Sequence, residues 1–272
     1  MIVFPNAKIN IGLRITGDRP DGYHDIETVF YPVGLGDALE FVDSGSPVKK
    51  DVLTITGIDP GCQPDDNLVF KAILKLRQKK YFPFLKVHLH KAIPAGAGLG
   101  GGSSDAACLL KVINRYYGLN IENGALRDLA SELGSDCSFF IEGVPSVASG
   151  RGEILTPVNQ VLAGYYLVII NPGVGISTEE AYKNCIPEAL SASLEQLITR
   201  PVIEWKGLIL NDFEDYAFRK YPLIGNMKEE MYRSGALFSL MSGSGSSVYG
   251  IFSEKPKLSE EIRKFVIWEG MM

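Results

Sequence analysis

Residues 94–107 read Pro-Ala-Gly-Ala-Gly-Leu-Gly-Gly-Gly-Ser-Ser-Asp-Ala-Ala, with five glycines (Gly96, Gly98, Gly100, Gly101 and Gly102) in seven positions. Glycine brings no side chain to a core and loses the most backbone entropy on ordering. Such a run points to a backbone brought close to a ligand, with its N–H groups turned outward. Ser103, Ser104 and Asp105 follow as helix-start residue types, ahead of a periodic apolar run from Ala106 to Tyr117. A glycine loop feeding a helix N-terminus favours an anion, because unpaired N–H groups and the helix dipole both attract negative charge. The expected guest is a phosphate.

Known phosphate patterns divide on this stretch. The P-loop pattern G-x-x-x-x-G-K-[ST] fails, since Gly101 is followed by Gly102 and Ser103 with no lysine. The dinucleotide pattern G-x-G-x-x-G is met by Gly96, Gly98 and Gly101, which keeps a dinucleotide-binding oxidoreductase as an alternative. A run this rich in glycine satisfies many patterns, however. Here Ile93-Pro94 also intervenes, and the loop sits near residue 100 rather than opening the chain. No G-x-S-x-G elbow is present, so serine hydrolysis has no support.

Composition narrows the classes further. The 272 residues suit one large or two modest domains, and 46% hydrophobic with 22% charged residues is ordinary for a globular protein. Lys and Arg number 27 against 32 acidic residues, a net charge of -5 with no basic run, which argues against a nucleic-acid partner. No apolar stretch approaches a membrane span, and the best, Tyr165 to Ile170, reads as a buried strand. The N-terminus shows no basic-then-apolar leader. Cys62, Cys108, Cys137 and Cys185 are scattered without a C-x-x-C pair, as in reduced cysteines of a cytoplasmic protein.

Periodicity orders the rest. Val3 to Ile15 alternates as a half-buried strand, with Ala7, Ile9, Ile11 and Leu13 on one face and Lys8, Asn10 and Arg14 on the other. By itself that makes Lys8 one more strand lysine. The turn Arg19-Pro20-Asp21-Gly22 leads through Tyr23 and His24 into a strand at Ile26 to Val33. Strands are expected at Ala38–Val42, Val52–Thr56 and Leu85–Lys91, with a helix over Asn67–Lys79. His88 and His90 share a strand face without a third ligand, so they read as solvated. A helix at Gly124–Leu133 precedes Ser135-Asp136-Cys137-Ser138 and an expected strand Phe139–Glu142. Asp136, between small residues and aromatics, suits either a turn or a carboxylate at a site mouth. Beyond Pro157 the pattern restarts. It has a strand at Tyr165–Asn171 and a helix capped at Ser177 or Thr178 that carries Tyr182. A helix at Ile224–Arg233 and strands at Ala236–Met241 and Val248–Phe252 follow. A closing helix is expected at Ser259–Trp268, and Gly243-Ser244-Gly245-Ser246-Ser247 forms a second glycine loop. The domain division is therefore 1–156 and 157–272.

Pro94, Gly98, Leu99, Gly100, Ser103, Ser104, Ala106 and Ala107 together resemble the phosphate loop of the GHMP small-molecule kinases. Adding Ala7-Lys8-Ile9-Asn10-Ile11, Asp21-Gly22-Tyr23-His24 and Ser135-Asp136 narrows the resemblance. It becomes the branch that phosphorylates a hydroxyl on the methylerythritol part of a cytidine-diphosphate-linked substrate, in non-mevalonate isoprenoid synthesis. The resemblance implies an α+β, two-domain GHMP-kinase-like fold, with a mixed α/β N-terminal ATP-binding domain and a ferredoxin-like C-terminal domain. It implies ATP and Mg²⁺ as cofactors, with the small-molecule substrate and ATP as partners, and leaves metal ligands and oligomeric state open. Asp136 matches the catalytic base and Lys8 its companion. Pro94, Gly96, Gly98, Leu99, Gly100, Gly101 and Gly102 match the ATP phosphate loop, with Ser103 or Ser104 reaching a phosphate or the metal. Asn67 matches the adenosine side. Tyr23 and His24 match the cytidine segment, Tyr182 an aromatic on the other side of the base, and Asn10 a substrate-holding amide. Another GHMP kinase, of homoserine or mevalonate type, remains the nearest alternative.

Overall fold

The computed structural model describes residues 1–45, 50–185 and 192–272. The chain opens with β1 (Ile2–Val3), β2 (Asn6–Asp18), β3 (His24–Gly36), β4 (Ala38–Asp43) and β5 (Val52–Gly57). It continues through α1 (Leu68–Lys79), β6 (Leu85–Lys91), α2 (Gly101–Tyr116), α3 (Asn123–Ser131) and α4 (Cys137–Glu142). Then come β7 (Ser146–Ser149), β8 (Ile154–Pro157), β9 (Tyr166–Ile170), α5 (Thr178–Lys183) and α6 (Leu194–Leu197). The last stretch holds α7 (Glu214–Lys220), α8 (Pro222–Arg233), β10 (Phe238–Met241), β11 (Val248–Phe252), α9 (Glu260–Arg263) and β12 (Val266–Met271). The fold is α+β. Two compact units divide the chain, and neither is continuous. The first comprises Met1–Ala7, Leu35–Ala95 and Gly100–Gly143; the second comprises Lys8–Gly34, Gly96–Leu99 and Val144–Met272.

The first unit is a sheet of order β1-β4-β6-β5 with helices α1 to α4. β4 runs antiparallel to β6, and β5 runs parallel to it. Strict alternation in β6 buries Leu85, Val87, Leu89 and Lys91 and exposes Lys86, His88 and His90. The two histidines are indeed solvated, and the Thr56 hydroxyl lies 2.8 and 3.0 Å from their rings. On α1 the apolar stripe Val69, Ala72, Ile73 and Leu76 is buried at the helical period, packed toward α2.

The second unit carries two sheets, of order β2-β3-β7-β8 and β10-β11-β9-β12. Every pairing in the latter is antiparallel. One core joins Leu13 and Ile15 with Val168, Ile170, Phe213, Ile224, Met227 and Met231, so that strand and helix faces bury each other.

Three sequence expectations are corrected. The run expected as a strand, Phe139–Glu142, lies in the helix α4, which Gly143 ends in a left-handed conformation (φ +66°). Cys137 to Ile141 are all buried, and a short run apolar on every side carries no period that separates strand from helix. The closing helix expected at Ser259–Trp268 lasts one turn; Ser259 does cap it, but Val266–Met271 pairs with β9 instead. Helix α2 starts earlier than its serines suggested. Gly100 in the left-handed region (φ +70°) is its N-cap, and Ser103, Ser104 and Asp105 lie inside it.

Candidate active site

In α2 the first intrahelical bond runs from the Ser104 N–H to the Gly100 carbonyl at 2.9 Å. The N–H groups of Gly101, Gly102 and Ser103 therefore have no acceptor in the helix and point out of its positive end. Sixteen residues of aligned peptide dipoles stand behind them. Ser104 is buried, whereas Ser103 is half-buried and its hydroxyl bonds the Cys137 thiol. Of the two serines, Ser103 is the one presented at the helix mouth. Burial pushes the Cys137 thiol up to about 11, countered by Ser103 and reinforced by the negative charge of Asp136, so the thiol stays protonated. Asp136 itself is the N-cap residue of α4, half-buried, with no side-chain capping bond.

The glycines of the loop serve different ends. A Cβ on Gly98 (φ +76°) would run into the Ser242 carbonyl oxygen, so backbone meets backbone there. A Cβ on Gly101 would lie 2.8 Å from Ile93 Cγ2, so this glycine lets the helix start close against the strand exit. Packing, which the sequence reading excluded for the run, is the reason for Gly101. Gly102 by contrast faces open space, apart from Leu68 at 3.8 Å.

The second unit holds Lys8 on β2. Its side chain is 3% exposed, and its ammonium donates to Asn10 Oδ1 and to the Gly98 carbonyl at 3.1 Å. It also stands 5.0 Å from the centre of the Phe30 ring, a cation–π contact. The Lys8 N–H donates to the Leu99 carbonyl at 3.0 Å, tying strand to loop. Asn10 is the hub of this region. Its amide donates to Thr28 Oγ1 at 2.9 Å, its N–H to Ser242 Oγ at 3.1 Å, and its carbonyl accepts the Tyr249 hydroxyl at 3.0 Å. Both side-chain ends of Asn10 are thus engaged by protein, which makes it the group that aims Lys8.

The two glycine loops do meet. Ser242 Oγ donates to the Gly98 carbonyl at 2.8 Å, and the Ser247 N–H to the Ala97 carbonyl at 3.2 Å. Asn211, which sequence reasoning missed, donates through Nδ2 to the Met241 and Gly243 carbonyls, both at 2.8 Å. Buried Glu214 accepts the Met241 N–H at 2.9 Å and pairs with Lys228 at 2.5 Å. Burial raises the Glu214 carboxyl above its ordinary range, with Lys228 opposing. The polar residues Asn211, Asp212 and Glu214, close together in a segment rich in aromatics, were the available signal.

Two of the three residues expected around the cytosine meet each other. His24 stacks on Tyr182, with centroids 4.9 Å apart and planes 15° from parallel, and Phe213 abuts Tyr182 edge-on at 4.9 Å. Tyr23 is 57% exposed and lies under the Arg151 guanidinium at 5.0 Å. Asn67 is spent differently again. Its Oδ1 caps α1 by accepting the Val69 N–H at 2.9 Å, and its Nδ2 faces Cys62 Sγ at 3.8 Å.

A glycine loop at the N-terminus of a sixteen-residue helix, in an α+β chain whose sheets are mainly antiparallel, fits a phosphate-handling enzyme better than a dinucleotide one. The family models agree: GHMP kinases N terminal domain matches residues 67–144 and GHMP kinases C terminal matches 193–267. The chain is 50% identical over 260 residues to the 4-diphosphocytidyl-2-C-methyl-D-erythritol kinase of Bacteroides thetaiotaomicron, covering 96% of this chain and 95% of that one. It is 47% identical to the enzyme of the same name from Parabacteroides distasonis, across the full length of both. A crystal structure of 4-(cytidine 5'-diphospho)-2C-methyl-D-erythritol kinase superposes with a TM-score of 0.78 at 30% identity, covering 99% of this chain and 98% of that one. The chain belongs to the GHMP kinases and, within them, to the family of 4-diphosphocytidyl-2-C-methyl-D-erythritol kinases. It is an ATP-dependent small-molecule kinase.

Proposed function

We propose that this chain transfers the γ-phosphoryl group of ATP to a hydroxyl of 4-diphosphocytidyl-2-C-methyl-D-erythritol. The observation that carries the reading is the 50% identity, over nearly the whole chain, to a relative bearing that substrate's name. The residues fit the chemistry. Asp136 takes the proton from the attacking hydroxyl, whose oxygen bonds to the γ-phosphorus as the bond to ADP breaks. Lys8, held by Asn10 and the Gly98 carbonyl, presents positive charge to that oxygen. The N–H groups of Gly101, Gly102 and Ser103 receive the phosphates, with Pro94, Gly96, Gly98, Leu99 and Gly100 shaping the approach and Ser104 packing beneath. Tyr23, His24 and Tyr182 receive the cytosine. Asn67 acts on the adenosine side through the segment it caps.

Mg²⁺ would arrive as part of Mg-ATP. Among the described residues no group of three or more His, Cys, Asp or Glu is placed to hold a metal ion. Mg²⁺ bound with nucleotide phosphates and waters needs no such cage. When bound it neutralises phosphate charge. The free cysteines support a reducing compartment, the cytoplasm. No helix among the described residues is long and apolar enough to cross a membrane.

The test is direct. Purified protein with Mg-ATP and 4-diphosphocytidyl-2-C-methyl-D-erythritol is expected to release ADP only when that substrate is present, with one phosphorylated product. ADP release with homoserine or mevalonate, and none with the cytidine compound, would replace the substrate assignment while keeping the kinase.

A further inference from the structure

Asp37, Lys91 and Asp105 come from three places in the first unit: just before β4, the last residue of β6, and the second turn of α2. All three side chains are buried, at 1%, 4% and 1% exposure. The Lys91 ammonium pairs with Asp37 Oδ2 and, at 2.7 Å, with Asp105 Oδ2. Asp37 Oδ1 accepts the N–H groups of Ala92 and Ile93 at 2.5 and 2.8 Å. These are the first two residues beyond β6, and Pro94 opens the glycine loop immediately after them. A Cβ on Gly101 would lie 3.3 Å from Lys91 Nζ, so the ammonium sits against the first helical residue.

Such a cluster is a poor way to gain stability. Two carboxyl groups and one ammonium leave water, and Asp105 Oδ1 is buried without a hydrogen-bond partner. Buried ion pairs contribute little compared with apolar side chains of the same volume. What the arrangement supplies is geometry. One cation grips the strand exit through Asp37 and the helix through Asp105, and the segment between them carries five glycines, which lend it little stiffness of its own.

We propose that Lys91, with Asp37 and Asp105, is a positioning device for the phosphate loop, holding the strand exit and α2 in the register that aims the N–H groups of Gly101, Gly102 and Ser103 at ATP. None of the three touches a reacting atom; they act through the backbone they hold. The proposal rests on reading residues 94–104 as the ATP phosphate site.

The experiment measures the KM for ATP, the KM for the cytidine substrate, kcat and thermal melting for four variants beside the wild type. Asp105→Asn is expected to raise the ATP KM about tenfold, with the other KM within twofold. Lys91→Arg, which keeps a cation within reach of both carboxylates, is expected to retain most of the ATP affinity. Asp105→Glu moves the carboxylate outward by one methylene and gives the same ATP-selective rise if the Asn variant folds poorly. Ser103→Asp places a like charge at the proposed phosphate position in a helix turn that tolerates it, and reports on the loop itself. An unchanged ATP KM in both Asp105 variants, alongside a large rise in Ser103→Asp, overturns the positioning role and keeps the loop. An unchanged ATP KM in Ser103→Asp overturns the loop reading and the positioning role with it. Losses that follow only the folded fraction, equal for both substrates, reduce the cluster to a structural one.

Discussion

The His24 imidazole lies face to face on the Tyr182 phenol, 4.9 Å between centroids. Two stacked contacts, one on each face of a cytosine, would need the rings about 7 Å apart. A base therefore enters between them only if they separate, or stacks on one of them alone. Tyr182→Ala is expected to raise the KM of the cytidine substrate about tenfold, the loss of one base–aromatic stack, with the ATP KM unchanged. Tyr182→Phe should behave as wild type. A matched rise in both KM values would place Tyr182 outside base recognition.

Asp136→Asn removes the proposed proton acceptor and keeps its shape. Turnover is expected to fall by roughly a hundredfold or more, with both substrates still binding, as measured by single-turnover kinetics and calorimetry. Near-normal turnover would remove Asp136 from the chemistry.

Asp105 sets a pH dependence. Burial chiefly raises its carboxyl from 3.8 to about 7, with Lys91 opposing and Asp37 reinforcing. Between those values the folded chain holds a proton that the unfolded chain releases. The stability from this group is therefore complete below about 3.8 and is lost as pH rises towards 7. Denaturation midpoints measured from pH 5 to 8 are expected to fall less steeply in Asp105→Asn than in the wild type. Parallel curves would show that the group titrates elsewhere.

Two glycines of one loop should respond oppositely to alanine. Gly98→Ala forces a Cβ into the Ser242 carbonyl at φ +76° and is expected to leave little folded protein. Gly102→Ala is helical with open space above it, and should raise the stability of the ligand-free protein by about 0.5–1 kcal/mol. Melting temperatures decide it; equal losses at both positions would contradict the packing described.

Local signals proved readable wherever one face was buried and the other wet. The alternation of Leu85 to Lys91 marked that strand from end to end, and Ser177 and Ser259 capped the helices they announced. Phe139 was misread because burial on every side erases the period. The Asp37 partner of Lys91 stayed hidden for a different reason. Asp37 precedes Lys91 by 54 residues, and no pattern within a sequence window relates them. The bonds from the Asn10 backbone to Ser242 and Tyr249 were equally hidden, because those partners lie more than 230 positions away.

That separation has a meaning for the order in which the chain is made. The first unit has all its residues once Gly143 has been synthesised. The second opens with Lys8, yet Asn10 must wait 232 residues for the hydroxyl that accepts its N–H. The strand that carries Lys8 and Asn10 is thus among the first segments to leave the ribosome and among the last to complete its bonds. A chain halted before Ser242 has its phosphate helix complete and its Asn10 N–H without the hydroxyl that accepts it.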